Sequence, residues 1–293
     1  MGHANPGMTR RAALGAAALL LPMPALANDE GYDAPGRRVA VMEKQLGLRI
    51  GVGALDTGSG NSIFYRESER FLMCSTFKVM LVAAILARAD AGQEHLDRVI
   101  HYQKSDLLEY APETTKNLGQ GMSVRALCAA AVTVSDNTAA NLLFASMGGS
   151  AALTLFAQRL GDSRTRFDRI EGALNIPDAE RDTTLPAAML ADLKDILLGD
   201  ALSAGSRKQL VDWMVACTTG LTRIRAGLPA GWRAGDKTGS GGNGQLNDVA
   251  ILWPPGNRAP VLVCAYTVGN KPSDPAYEKA LADIGRIVSE RFA

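Results

Sequence analysis

Histidine is scarce in this chain, with three among 293 residues, at His3, His95 and His101. That is too little material for a histidine-based zinc centre or a serine–histidine–carboxylate triad. Cysteine is almost as rare, and Cys74, Cys128, Cys217 and Cys264 contain no CxxC pair. Their spacing offers no thiolate metal site, although up to two disulfides stay open in an oxidising compartment. Neither sign of charge is in excess, the formal total being +1, so nothing draws the chain broadly to nucleic acid. It lacks internal repeats, low-complexity linkers and any apolar run long enough to span a membrane. What is present is ordinary for a globular protein, 47% hydrophobic and 21% charged. The length exceeds one typical domain but is short for two independent ones. A monomer acting on a small molecule, built as one compact unit or two interlocked lobes, is the expectation.

Residues 1–27 stand apart. Arg10 and Arg11 precede the apolar run Ala12 to Leu21, and Pro22, Pro24 and the small-residue site Ala25-Leu26-Ala27 follow it. That order predicts an export signal cleaved near Ala27, leaving a secreted or periplasmic protein of net charge about −1. Thr9-Arg10-Arg11 also admits the twin-arginine route. Residues 1–7, ahead of Met8, read as an expression scar or a misassigned start.

Beyond this leader, Arg49 to Thr57 and Ser62 to Tyr65 alternate apolar and polar residues around Gly58-Ser59-Gly60-Asn61. The pattern predicts a hairpin, so that strands open the mature chain. From Ser75 to about Asp90 the periodicity is helical, and it recurs near 123–132, 137–146, 150–160, 185–198 and 206–216. Strand signals return at Arg233 to Lys237, Asp248 to Trp253 and Pro260 to Val268, before a closing helix over Pro275 to Phe292. The order implies an α+β fold. Residues 28–65 and 213–293 would build an antiparallel sheet lobe with flanking helices, and 66–212 an inserted helical lobe, with a cleft between them. Gly161 to Thr184 has no sustained periodicity and predicts a long loop of the kind that carries function. Trp213 and Trp232 are expected to pack in the core rather than stack on a ligand.

Three short motifs carry chemistry. Ser75-Thr76-Phe77-Lys78 sets a hydroxyl and an ammonium one helical turn apart on one face at the start of an apolar helix. A serine needs a neighbouring base to become a nucleophile, and helix-start N–H groups can hold an oxyanion. Ser135-Asp136-Asn137 joins two helices and offers a proton-relaying hydroxyl and an amide that both donates and accepts. Lys237-Thr238-Gly239, followed by Ser240, closes a strand with a cation, a hydroxyl and open backbone N–H groups. Each has an ordinary reading alone: Ser75 or Ser135-Asp136-Asn137 as a helix cap, Lys78 as a solvated charge. In this order together they form the combination found in class A β-lactamases and penicillin-binding proteins.

The chain resembles the class A serine β-lactamases, within the penicillin-recognising serine enzymes, over nearly all of its mature length. The likeness extends through Asp106-Leu107-Leu108-Glu109-Tyr110-Ala111-Pro112, Ser135 to Leu143, Arg181-Asp182-Thr183-Thr184, Ala226-Gly227-Leu228-Pro229 and Trp232 to Gly239. It implies hydrolysis of the β-lactam ring of antibiotics, hence resistance, without metal or cofactor. On this resemblance Ser75 attacks the lactam carbonyl, and the N–H groups of Ser75 and Ser240 form the oxyanion hole. Lys237 and Thr238, with Ser135 and Ser240, hold the substrate carboxylate and pass a proton to the lactam nitrogen; Asn137 holds the amide side chain and Tyr110 lines the mouth. Glu171-Gly172-Ala173-Leu174-Asn175 resembles the segment whose carboxylate and amide hold the deacylating water. Lys78 and Glu171 both stay open as the base for acylation. A D,D-peptidase or transpeptidase, and a sensor that remains acylated, share the Ser-x-x-Lys machinery, but the Glu171 to Asn175 segment argues against each. A purely structural α+β protein leaves the ordered motifs unexplained.

The chain also departs from the family pattern. Arg169 and Asp182 resemble the ion pair that closes the neck of the omega loop, here 169–182, but only Ile176 separates Asn175 from Pro177, which shortens the loop by two residues. Gly172 stands where many members have proline and a cis peptide. Where relatives often carry an arginine on the strand after Lys237-Thr238-Gly239 this chain has Leu246, and Arg223 is expected to substitute. The family's two disulfides would match Val82 with Cys128 and Cys74 with Gly241. Each pair lacks one cysteine, so neither is expected, and Cys74 is read as a packed small residue.

Overall fold

The computed structural model describes residues 1–2, 32–270 and 275–293, so the expected leader lies outside the described residues apart from Met1 and Gly2. Its first elements are α1 (Ala34–Leu46), β1 (Arg49–Asp56), β2 (Ser62–Tyr65), β3 (Phe71–Leu72), α2 (Phe77–Asp90), β4 (Val99–Ile100) and β5 (Met122–Ser123). Then come α3 (Val124–Thr133), α4 (Asn137–Met147), α5 (Ser150–Arg159), β6 (Thr183–Thr184), α6 (Pro186–Leu197) and α7 (Ala204–Val215). The chain closes with β7 (Arg233–Ser240), β8 (Gln245–Trp253), β9 (Val261–Val268) and α8 (Pro275–Arg291).

The fold is α+β, as expected, but a helix rather than a strand precedes the hairpin. Asp33 caps α1 by accepting from Gly36 N, a proline opens its first turn, and Gly47 ends it in the left-handed region at φ +63°. Those are standard start and stop signals, and Val39, Ala40 and Met42 form its buried side.

Five antiparallel strands form one sheet in the order β2-β1-β9-β8-β7, so both ends of the chain share it. Both faces of its centre are covered. Val261, Val263 and Ala265 of β9 point to a core shared with α1 and α8, while Leu262, Cys264 and Tyr266 point to a larger core shared with α2 to α7. That is why β8 and β9 read as nearly continuous apolar runs. Each large aliphatic side chain so buried contributes about 1.5–3 kcal/mol. On β1, Gly51 and Gly53 take the α6 side, where a Cβ would meet Phe71 or the backbone of Pro186.

Trp213 is buried in the larger core, and Trp232 is packed against the smaller one. The four cysteines are free and buried. Two strands extend past the expected segments: β7 runs three residues beyond Lys237, and β8 starts at Gln245 because Thr238 to Ser240 pair with Asp248 to Leu246. Polar Gln245 and Asn247 hid that start, yet both are buried. Asn247 Nδ2 donates to the carbonyls of Leu72 and Met73, tying β8 to the segment ahead of Ser75. Among the described residues no single helix is long and apolar enough to cross a membrane.

Candidate active site

Ser75 sits in a 3-10 turn, Cys74–Thr76, that runs straight into α2. Thr76 is the residue before the helix and makes no side-chain cap, so Ser75 is not a helix cap. Its hydroxyl instead donates to Glu171 Oε1 at 3.1 Å and accepts from Lys78 Nζ at 3.0 Å. Lys78 is fully buried, and its ammonium also meets Glu171 Oε1 at 2.8 Å, Ser135 O at 2.9 Å and Asn137 Oδ1 at 2.6 Å. Burial lowers the Lys78 pKa, against the opposing pull of the Glu171 carboxylate. An amine held this way exchanges protons more readily than a solvated lysine.

The second ammonium lies across the relay hydroxyl. Lys237 Nζ donates to Ser135 Oγ at 3.0 Å and to Thr238 O at 2.7 Å, and Lys78 Nζ approaches the same Ser135 Oγ at 3.3 Å. Ser135 therefore connects the two lysines. Burial, and then the charge of Lys78, push Lys237 down to about 7. The ammonium form is thus fully present only well below pH 7 and is lost as pH rises through that value. Where Lys237 receives the substrate carboxylate, as the resemblance implies, kcat/KM for benzylpenicillin is expected to fall about tenfold per pH unit on the alkaline side, because this ratio reports the free enzyme. Lys237→Arg, whose guanidinium keeps its charge, should move that fall beyond pH ~9; an unmoved profile would assign it to another group.

Above these groups opens a cavity of about 380 Å³. Ser75, Ser135, Asn137 and Asn175 line one side, Thr238, Ser240 and Arg223 the other, with half-exposed Tyr110 at the rim. Lys78, Glu171 and Lys237 are buried beneath it. Strand β7 comes close to Ser75 because residue 239 is glycine: a Cβ there would lie 2.7 Å from Met73 O and 3.1 Å from Ser75 N. The close approach brings the amide-bearing backbones of Ser75 and Ser240 together.

Arg223 is 5% exposed, and it donates from one nitrogen to the carbonyls of Gly239 and Asn247 and from the other to Ser240 Oγ at 2.7 Å. Leu246, opposite Ser240 in the β7–β8 register, packs against the smaller core instead.

The loop carrying Glu171 is closed by Arg169, whose Nε meets Asp182 Oδ2 at 2.5 Å and whose terminal nitrogen donates to Ile176 O at 2.7 Å. Asp182 Oδ1 accepts from the backbone N–H groups of Asp168 and Arg169. Buried Phe167 and Leu174 anchor the loop in the larger core. Among the described residues no peptide is cis, and Gly172 instead turns the chain directly after Glu171 at φ +98°. A side chain is strained at that angle whatever the space around it. Asn175 Nδ2 donates to Glu171 Oε2 at 3.0 Å.

Three residues of the site had no role assigned from sequence. Asn141 accepts from Glu171 N at 2.9 Å and donates to Glu171 O at 3.3 Å, fixing the Glu171 backbone from α4. Its position four residues after Asn137, on the same helix face, was the available signal. Asp136 is fully buried; it caps α4 through Ala139 N and accepts from Glu113 N and Thr114 N, seating the segment that bears Tyr110. Thr219 lines the cavity and shares a 2.5 Å hydrogen bond with the Thr238 hydroxyl. Two flanking residues are strained, Cys74 at φ +47° and Ser135 at φ +60°, a backbone state that costs about 1–3 kcal/mol each and collects at active sites.

A serine hydroxyl placed between an ammonium and a carboxylate, under a cavity with a second ammonium buried beneath it, is the equipment of a serine acyl hydrolase. The sequence profile of the Beta-lactamase enzyme family matches residues 36–292. Beta-lactamase AST-1 of Nocardia asteroides is 47% identical over 253 residues, covering 86% of this chain and 81% of that one. Beta-lactamase OXY-1 of Klebsiella oxytoca is 43% identical over 260 residues, covering 88% and 89%. Among solved structures, an ancestral class A β-lactamase (GNCA) is similar at TM-score 0.86 and 55% identity, over 88% of this chain and all 100% of that one. The chain belongs to the class A β-lactamases and hydrolyses β-lactam antibiotics.

Proposed function

We propose that this hydrolysis proceeds through an acyl-enzyme on Ser75 that is released by a water activated by Glu171. The observation that carries the reading is a single oxygen, Glu171 Oε1, in contact with both Ser75 Oγ and Lys78 Nζ at 3.1 and 2.8 Å. Lys78 or Glu171 takes the hydroxyl proton as Ser75 attacks the lactam carbonyl, and the N–H groups of Ser75 and Ser240 receive the oxyanion. Ser135, touched by both lysines, passes a proton to the lactam nitrogen as the C–N bond breaks. Water then attacks the ester while Glu171 takes its proton, and Ser75 leaves with a proton restored. Asn175 supports that last step: its Oδ1 is buried without a hydrogen-bond partner, an acceptor free for a water proton.

Lys237, Thr238, Ser240 and Arg223 form the wall for the substrate carboxylate, and Asn137 is placed for its amide side chain. Arg223→Ala is expected to raise KM for benzylpenicillin about tenfold to a hundredfold with a smaller change in kcat, the loss of one charge-assisted hydrogen bond. A KM within twofold of wild type would return Arg223 to a structural role. The leader pattern from Arg10 to Ala27 supports export to the periplasm or medium. Intact-mass spectrometry during benzylpenicillin turnover tests the whole scheme: a transient or undetected adduct with repeated ring opening is expected. A stable stoichiometric adduct would instead indicate a peptidase-like or sensor-like protein.

A further inference from the structure

We infer that a second ligand site, for a small amphiphilic carboxylate, lies at the opposite end of α2 from the nucleophile. A cavity of about 380 Å³ opens there between Ala84, Ala87 and Arg88 of α2, Phe156 and Arg159 of α5, and Ala201 ahead of α7. Its volume falls within the range of small-molecule sites, and its alanines and Phe156 stand beside the polar groups of Arg88, Gln93 and Arg159. Ala84 and Phe156 are buried at 2% and 4% exposure and form its floor, and the small alanine side chains leave room for an unbranched chain.

Two guanidinium groups face this cavity and neither forms an ion pair among the described residues. Arg88 Nε is buried and without a hydrogen-bond partner, and the group's hydrogen bond is a long donation to Gln93 O at 3.4 Å. A buried donor left without an acceptor is costly. Neighbouring Asp90 forms no ion pair with it among the described residues; its carboxylate is turned to Ser203 N, Ser203 Oγ and Ser206 Oγ. The last carbonyls of α2 carry a partial negative charge that opposes an anion, but two full guanidinium charges outweigh it. A carboxylate matches the planar donor fork, and the alanine and phenylalanine floor selects one with an apolar tail. Arg88 lies roughly 15 Å along the helix from Lys78 at 1.5 Å per residue, so this site does not overlap the catalytic cavity.

Octanoate is the probe, titrated into the ¹⁵N-labelled full chain with amide shifts as the readout. Saturable shifts are expected at Ala84, Ala87, Phe156 and Ala201. Acetate, which lacks the tail, and 1-octanol, which lacks the charge, should each bind at least about tenfold more weakly. Arg88→Gln and the exposed Arg159→Gln should each weaken octanoate by a similar factor, the size of a lost charge-assisted hydrogen bond, with benzylpenicillin turnover unchanged as proof of folding. Three outcomes would overturn the site: no saturable shifts at those amides, equal binding by 1-octanol, or shifts confined to Tyr110, Thr219 and Ser240. Undiminished octanoate affinity in the Arg88→Gln/Arg159→Gln double variant would also do so.

Discussion

Ser75→Ala is expected to abolish the covalent adduct and to lower kcat/KM for benzylpenicillin by about 10⁴ to 10⁶, the scale on which loss of a catalytic nucleophile acts. No other hydroxyl can stand in. Ser135 Oγ is the nearest alternative, but it accepts hydrogen bonds from two ammonium groups and sits at a strained junction rather than beside Glu171. The substitution removes one oxygen and leaves Lys78 its contacts with Glu171, Ser135 and Asn137, so the fold should persist and the melting temperature should not fall. Substrate affinity, which we propose rests on Lys237, Thr238 and Arg223, should survive as reversible binding. Intact-mass spectrometry and steady-state rates decide the matter: an adduct that persists in Ser75→Ala, or a loss smaller than about a hundredfold, would place the nucleophile elsewhere.

Glu171→Gln separates the two halves of the reaction. The amide keeps the shape of the side chain and its place beside Asn175, but it cannot accept a proton from water. Release of the acyl group should slow by about 10² to 10⁴, the usual contribution of a general base, and the adduct should accumulate to one per chain. Attack by Ser75 should continue, because the electrostatics of the site compensate. Lys78 is already lowered by burial and is held up chiefly by the Glu171 charge. Without that charge its ammonium becomes still more acidic, and the neutral amine can take the Ser75 proton. Rapid-quench mass spectrometry should therefore show a fast burst followed by a near-stationary adduct. Unchanged turnover would remove Glu171 from deacylation, while loss of the burst would make it the base for acylation as well.

Much of this was legible in the sequence because the signals are local. Helical periods over α2 to α7, the alternation of β2 and the continuous apolar runs of β8 and β9 each come from side chains within one element. The Ser-x-x-Lys, Ser-Asp-Asn and Lys-Thr-Gly groups lie in three separate elements, and only their shared membership of a family brought them together before the structure did. What stayed hidden depends on contacts distant in sequence or on backbone angles. Helix α1 carries clear end signals in Asp33, Pro35 and Gly47, but its mixed polar face concealed the period between them. Asn141 anchors a residue 30 positions away, and neither it nor Thr219 differs in type from an ordinary surface polar residue. The left-handed angles at Cys74 and Ser135 belong to residues that rarely adopt them, so no residue preference announces them.

Burial governs the four thiols as well as the two lysines. It raises Cys74 to about 12 and lifts Cys128, Cys217 and Cys264, which keeps all of them out of the thiolate form through which oxidants, alkylators and disulfide exchange act. The described fold therefore contains no disulfide for a reducing medium to break, and none of its thiols is poised to form one.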